Sequence, residues 1–266
     1  MIKYFVDSGS DLTAKELDKF DIGLLPFSII IHGKEYLSDL RWKDIDAGYL
    51  IRVLQAGVRP VLNRPSIDEW YNRLRPSAEA GYDIVYLSMS GQVTKALEQF
   101  TVVGNMLKAE GILREGQRFE GIDTGLCSLA LKAYILSVVQ SKDVTLDEFK
   151  LRCRNYIVLG SPKWLQSSGR VEMGDIDGYV LAESDLKHNQ LFNPLKVYPD
   201  HQQALDALAN LIPYRSQGYI GISTKVPEMQ TILGRLKNWS YQMVSPTNTA
   251  IFGPGMLEVL WLDNSF

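Results

Sequence analysis

The chain is poor in the residues that cross-link proteins or hold metals, with two cysteines and three histidines. Cys127 and Cys153 lie far apart with no metal or redox spacing, which excludes a disulfide framework and a zinc cluster as organising elements. They are expected as reduced thiols inside helical segments. His32, His188 and His201 have no metal spacing and no carboxylate partner in the sequence, so turn or surface roles are expected and no metal site. No basic-then-apolar leader opens the chain. The longest apolar stretch, "SLALKAYILSVV", is interrupted by Lys132 and is too short to span a bilayer. A cytoplasmic protein without stable membrane insertion is expected. Basic residues do not dominate, with 28 Lys and Arg against 31 Asp and Glu and a net charge of -3, so nucleic acid and anionic membrane surfaces are disfavoured partners. Also missing are a "GxxxxGK[ST]" phosphate loop, a "GxSxG" nucleophile elbow, a "GxGxxG" after a strand and an "HExxH" pair. Enzyme classes that depend on those signatures are disfavoured, and a binding protein gains ground.

What is present is an α/β pattern. A chain of this length buries roughly three quarters of its unfolded surface and can fold without staples. In the first half, apolar runs alternate with amphipathic stretches, the pattern of strand and crossover helix. "KYFV", "DIVYLS" and "FEGID" read as strands buried on both faces. "IDEWYNRLRPSAEA", "TKALEQFTVVGNMLK" and "LCSLALKAYILSVV" read as helices. The isoleucine run in "GLLPFSIIIHGKEYLS", broken by His32 and Gly33, predicts a hairpin beside the parallel sheet. After about residue 160 the texture turns to Gly, Ser and Pro with short strands. The expected organisation is a parallel α/β domain over 1–160 and an α+β domain with mainly antiparallel sheet over 161–266. In the latter, a strand pair is expected around Asp177 and Gly178, then a helix in "DHQQALDALANLI", a strand in "GYIGIS", a helix in "PEMQTILGRLKNW" and a strand-rich end through "TAIFGPGMLEVLW".

Several loops exceed what their helices need. Thr13 with Glu16, Ser66 with Glu69, and Thr145 with Glu148 have the spacing of capping boxes and are read as structural. Upstream of Thr13, the loop "VDSGSD" lies beyond the carboxyl end of the first strand, where open α/β sheets place ligands. Asp7 and Ser8 can equally satisfy backbone groups of the turn, and are expected to brace the rim of a cleft. In "LSMSGQVTKA", Ser88 and Ser90 offer hydroxyl donors and Gly91 permits close backbone approach. That loop suits an anion or the polar end of a neutral ligand, or a plain serine cap. Gly253-Pro254-Gly255 fixes a tight turn, and Arg170 in "SSGRV" is either solvated or available to a phosphate or a partner's carboxylate.

In order along the chain, these stretches resemble the DegV family, bacterial two-domain proteins that bind fatty acids. "VDSGSDLT" is similar to the family's Asp-Ser-x-x-Asp-Leu, "LLPFSIIIHGKEYLSD" to its Pro-Leu…Gly-x-x-Tyr-x-Asp, and "NRPSIDEWYNRL" to its Thr-Ser-x-Pro-Ser segment. "SGQVTKA" resembles Ser-Gly-Thr-x-x-x-Ala, "IDTG" resembles Ile-Asp-Ser, "SGRV" resembles Gly-Gly-Arg-Ile, and "IFGPG" resembles His-x-Gly-Pro-Gly. The resemblance implies an acyl chain held between two domains. It further implies a carboxylate bound by hydroxyls and a histidine, presentation of the acyl chain to a separate fatty acid kinase, and a Gly-Arg loop, here at Arg170, used in that handover.

Carried across, Ser90 and Gly91 stand in the Ser-Gly positions, while Leu62, Gln92 and Ile251 replace the two threonines and the histidine. Burying an acyl tail of about 14 carbons contributes on the order of 11 kcal/mol before ordering costs, whereas a lost head-group hydrogen bond costs about 1–3 kcal/mol. Tail binding therefore survives these replacements, and carboxylate selectivity is what they threaten. The expected function is non-catalytic binding of a fatty acid or similar acyl ligand, with no other cofactor. Ser90, Gly91 and Asn63 are expected at the head group, with Leu62, Gln92, Ile251 and Gly253 lining the pocket. The rivals are a ligand-free interaction protein and a phosphotransferase or acyl-transfer subunit using Asp7 and Asp11.

Overall fold

The computed structural model describes residues 1–141, 144–153, 155–167, 177–186, 190–212, 218–224 and 239–261. The first strand, β1 (Ile2–Asp7), pairs in parallel with β2 (Gly23–Leu25) on one side and β6 (Asp83–Ser88) on the other. β7 (Phe119–Asp123) adds in parallel to β6, giving the order β2-β1-β6-β7. Crossover segments carry α1 (Ala14–Phe20), α3 (Ile67–Glu79) and α4 (Ala96–Ala109), and α5 (Ser128–Ser141) and α6 (Leu146–Arg152) follow β7. The central strands are apolar on both faces because helices cover them, as parallel sheets require. The sequence expectation fails for β7, which forms the edge and exposes Glu120, Gly121 and Asp123. Phe119 still packs inward, stacked on Phe100 of α4 at 4.2 Å between ring centroids.

The expected hairpin is present. β3 (Ser28–Ile31) and β4 (Lys34–Leu37) flank the two-residue turn His32-Gly33, and β5 (Val61–Asn63) pairs antiparallel on the other side of β3. α2 (Ala47–Gln55) buries Leu50, Ile51, Val53 and Leu54 in a cluster with Ile29 and Ile31. Fully burying each such side chain contributes about 1.5–3 kcal/mol, enough to hold a three-stranded sheet that would be marginal alone.

The second large sheet has the order β10-β9-β8-β13-β11-β12. Its strands are β8 (Asn155–Gly160), β9 (Tyr179–Asp185), β10 (Gln190–Tyr198), β11 (Gly218–Ile222), β12 (Ser240–Met243) and β13 (Leu257–Trp261). The pairings are antiparallel except β11 with β12, which is parallel. The helices here are α7 (Pro162–Ser167), α8 (His201–Leu211) and α9 (Pro246–Phe252). β8, on the N-terminal side of the expected division at residue 160, belongs to this sheet. Asp177 and Gly178 precede β9, whose described neighbours are β8 and β10. Residues 249–252, expected as strand, complete α9, because Ser245 caps its start and Pro246 is preset for the first helical turn. Residues 227–238 of the helix expected over 227–239, and the positions of Arg170 and His188, lie outside the described residues.

Local signals account for the helix starts. Thr13 with Glu16 and Thr145 with Glu148 close reciprocal capping boxes. Ser66 caps α3, but Glu69 turns outward to Arg73, 3.0 Å away, instead of closing the box. One apolar core runs from the first sheet into the second, joining Phe5, Val6, Ile84 and Leu87 to Tyr156, Val158, Val180 and Leu260. Cys127 and Cys153 are buried free thiols in it, and burial pushes the Cys153 thiol well up. Among the described residues, no helix is long and apolar enough to cross a membrane.

Candidate functional site: the seam between the two sheets

The opening loop is a fastening between the sheets. Asp7 is fully buried at the end of β1 and accepts hydrogen bonds from Tyr86 Oη at 2.8 Å, Met89 N at 2.7 Å and Gly9 N at 2.9 Å. Burial nevertheless pushes its carboxyl up to about 6. Ser8 Oγ accepts from Phe27 N at 3.0 Å and lies 2.7 Å from Thr247 Oγ1 of α9. Thr247 gives its own proton to Ser38, so Ser8 is the donor in that pair. Asn248 Nδ2 donates to the Gly9 carbonyl at 3.0 Å. Every polar residue of this loop thus faces inward, and α9 docks on it.

Asp11 carries the fastening further. It accepts from Ser245 N at 2.6 Å, and the Ser128 hydroxyl bridges it to Glu258 of β13, which also accepts from Tyr156. A hydroxyl has one proton to give, so a serine between two carboxyls requires one of them to be protonated. Glu258 is that one, because burial first and the Asp11 charge second raise it to about 8. Burial raises Asp11 as well, against its hydrogen bonds. Ser128 holds a left-handed φ of 49°, a conformation costly for a residue with a Cβ; here the hydroxyl that glycine would lack is needed. Nearby, buried Lys132 lies 2.9 Å from Glu16 and donates to Gln242 at 2.5 Å, and Gln242 donates in turn to the Asp11 carbonyl at 2.6 Å. Burial alone would raise Glu16, but Lys132 and Thr13 outweigh it and hold the carboxyl below its ordinary value. These groups are consumed by one another. Among the described residues, no three His, Cys, Asp or Glu gather as metal ligands.

Beside the fastening, a cavity of about 250 Å³ is lined by Arg59, Pro60, Leu62, Val93, Trp164, Ala250 and Ile251. Its walls come from the β5 strand and the segment before it, the loop after β6, α7 and α9, so it lies where the small sheet and both large sheets meet. Leu62 and Ile251, the two branched residues at expected polar positions, are brought together in it. Gly253, with φ +82°, stands behind the wall: a Cβ there would lie 2.2 Å from Trp164 Cγ, so glycine lets the indole lie against the backbone.

The expected head-group residues are arranged differently. Ser90 is buried and outside the lining; its Oγ accepts from Gln92 N at 3.3 Å, and its proton has no acceptor among the described residues. Gly91 approaches Asp123, not open space. Its N–H donates to that carboxylate at 3.0 Å, and a Cβ would meet the other oxygen at 2.4 Å. Asn63 and Gln92 are exposed and outside the lining. A larger hollow of about 720 Å³ lies against β7 and α4, with Thr101, Asn105, Lys108, Arg114, Glu115 and Gln117 in its wall.

The family model described as "Uncharacterised protein, DegV family" matches residues 1–173. The chain belongs to the DegV family. A DegV domain-containing protein of Clostridium acetobutylicum is 25% identical over 133 residues, which cover 50% of this chain and 46% of that protein's length. The chain is similar in structure to a DegV lipid-binding protein from Thermotoga maritima, with TM-score 0.73 and 20% identity over 98% of each chain. It is also similar to a stearic acid-binding protein from Eubacterium ventriosum, with TM-score 0.76 and 15% identity over 98% of each chain. A third similar structure is DegV, a fatty acid binding protein from Bacillus subtilis, with TM-score 0.72 and 14% identity over 98% of each chain. These likenesses show the DegV fold along nearly the whole chain.

Within this DegV fold, sequence reasoning missed Arg59, Trp164, Ser128 and Glu258. Lys132 and Glu258 had a readable signal, each being a lone charge in an apolar run, "LALKAYIL" and "MLEVLW". A lone charge in a core element needs a buried partner, which the fold supplies. Arg59 and Trp164 carry no local signal, because they meet only when α7 packs beside β5.

Proposed function

We propose that this DegV-family protein is a non-catalytic carrier of an acyl chain in the bacterial cytoplasm, holding it at the seam between a first domain of parallel α/β structure and a second α+β domain. The observation that carries this reading is the cavity walled by Leu62, Val93, Trp164, Ala250 and Ile251. The relatives whose names record lipid, stearic acid and fatty acid binding support it. The cavity is somewhat smaller than the roughly 300–1,000 Å³ of usual ligand pockets. It takes the first part of a tail, and the half-buried Leu62, Trp164 and Ile251 side chains turn aside for the remainder. The larger hollow beside β7 is a poorer host, because covering its Lys108, Arg114 and Glu115 with hydrocarbon would strip water from charges without replacing it.

Ser90, with an uncommitted proton at the base of the loop that supplies Val93, assists the bound chain from below, and Gly91 and Asn63 support it by holding the loop and the β5 edge. Gln92 flanks the same loop, Gly253 sets the Trp164 wall, and Arg170 remains the proposed contact for a fatty acid kinase. Binding, not phosphotransfer, fits Asp7 and Asp11, since both are engaged in internal hydrogen bonds. The test is lipid extraction and denaturing mass spectrometry of protein purified from a bacterial host. A stoichiometric acyl species is expected. Protein that is empty and also ignores added palmitate and oleate would overturn the reading.

A further inference from the structure

Among the described residues, the wall of the seam cavity contains one charged side chain, Arg59. Its guanidinium lies 5.3 Å from the centroid of the Trp164 ring, and Nη2 donates to the Lys163 carbonyl at 3.0 Å. The backbone bond uses one corner of the group. Nε and Nη1 keep their N–H donors, and Arg59 pairs with no carboxylate among the described residues. The contact with an indole and a fixed backbone bond hold the fork in place, so less side-chain freedom is lost when it grips an anion. At the same cavity, Leu62 and Ile251 supply hydrocarbon and no donor. The polar and apolar ends of the site are therefore assigned: hydrocarbon between Leu62, Val93 and Ile251, and positive charge at Arg59.

Resting on the acyl-carrier reading above, we infer that Arg59 is the head-group receptor of this protein, and that the ligand is a single-chain amphiphile whose carboxylate pairs with the Arg59 fork at the cavity mouth. The tail then runs inward past Leu62 and Ile251. This arrangement explains how branched apolar residues stand at those two positions without a buried anion beside them: the carboxylate stays at the rim, where water shares its solvation and desolvation is small. Trp164 acts as a positioning residue, keeping the guanidinium flat against the mouth.

Isothermal titration with decanoate and with decanol separates the two parts of the site. A charge-assisted pair at a partly exposed rim is expected to give the intact protein a preference for decanoate of about 10-fold or more. Arg59→Gln, at an exposed position outside the core, is expected to bind the two ligands within about 3-fold of each other, with decanoate losing far more affinity than decanol. Arg59→Lys, which keeps the charge and loses the fork, should fall between. A decanoate preference that survives in Arg59→Gln overturns the assignment of Arg59 and leaves the acyl-carrier reading standing. Failure of the intact protein to bind either ligand overturns both.

Discussion

Replacing Glu258 by Gln tests the proton that the seam is built around. The folded carboxyl titrates at about 8 against an ordinary 4.5, and burial beside Asp11 is the cause. Folded protein holds this proton through a range in which unfolded chain has already released it. The contribution is therefore complete below the unfolded value, and it is lost as pH rises through the folded one. Asp7 behaves in the same sense, but its window closes at about 6. Between about 6 and about 8, Glu258 alone of these two should lower the unfolding free energy by about 1.4 kcal/mol per pH unit, or on the order of 2–3 kcal/mol across the window. For a chain of this size that corresponds to a fall in Tm of about 5–10 °C. Gln has nearly the same volume, can give a proton to Ser128 and can still accept from Tyr156, so Glu258→Gln should fold and show a flatter dependence over that window. Urea unfolding of both proteins at a series of pH values reads the difference directly. Parallel curves would refute the shared-proton arrangement.

Two further substitutions probe the packing around the site. Lys132→Met removes a cation that is 2% exposed and leaves Glu16 and Gln242 without it, so a loss of about 2–4 kcal/mol is expected in chemical denaturation. Gly253→Ala places a Cβ against Trp164 at positive φ. A cost of about 1–3 kcal/mol is expected, together with a shift in tryptophan fluorescence and weaker decanoate binding, because the cavity wall must move.

Much of the first sheet was legible because strand and helix periods differ clearly in β1, β6, α3 and α4. The small sheet was announced by its isoleucines and by the His32-Gly33 turn. β8 lies just before the change of texture at residue 160, which says nothing about pairing, and its partners β9 and β13 come later in the chain. The stretch 249–252 read as strand because Thr and Ile favour extended backbone, while the decisive features, the Ser245 cap and Pro246, lie upstream. β7 looked internal because Phe119 and Ile122 are apolar, and an edge is set by the absence of a further strand. At the site, Leu62 and Ile251 were found by resemblance, and the structure brings them into one wall. Gly91 permits a close approach, and Asp123 is what approaches it.

The central claim, an acyl chain lodged at the seam, is tested most directly by photolabelling with a diazirine-bearing fatty acid followed by peptide mass spectrometry. Labels are expected on peptides containing Leu62, Val93, Trp164 or Ile251, and an excess of palmitate should suppress them. Competed labels confined to the hollow between Phe100 and Gly121, or no competed labels at all, would contradict the account.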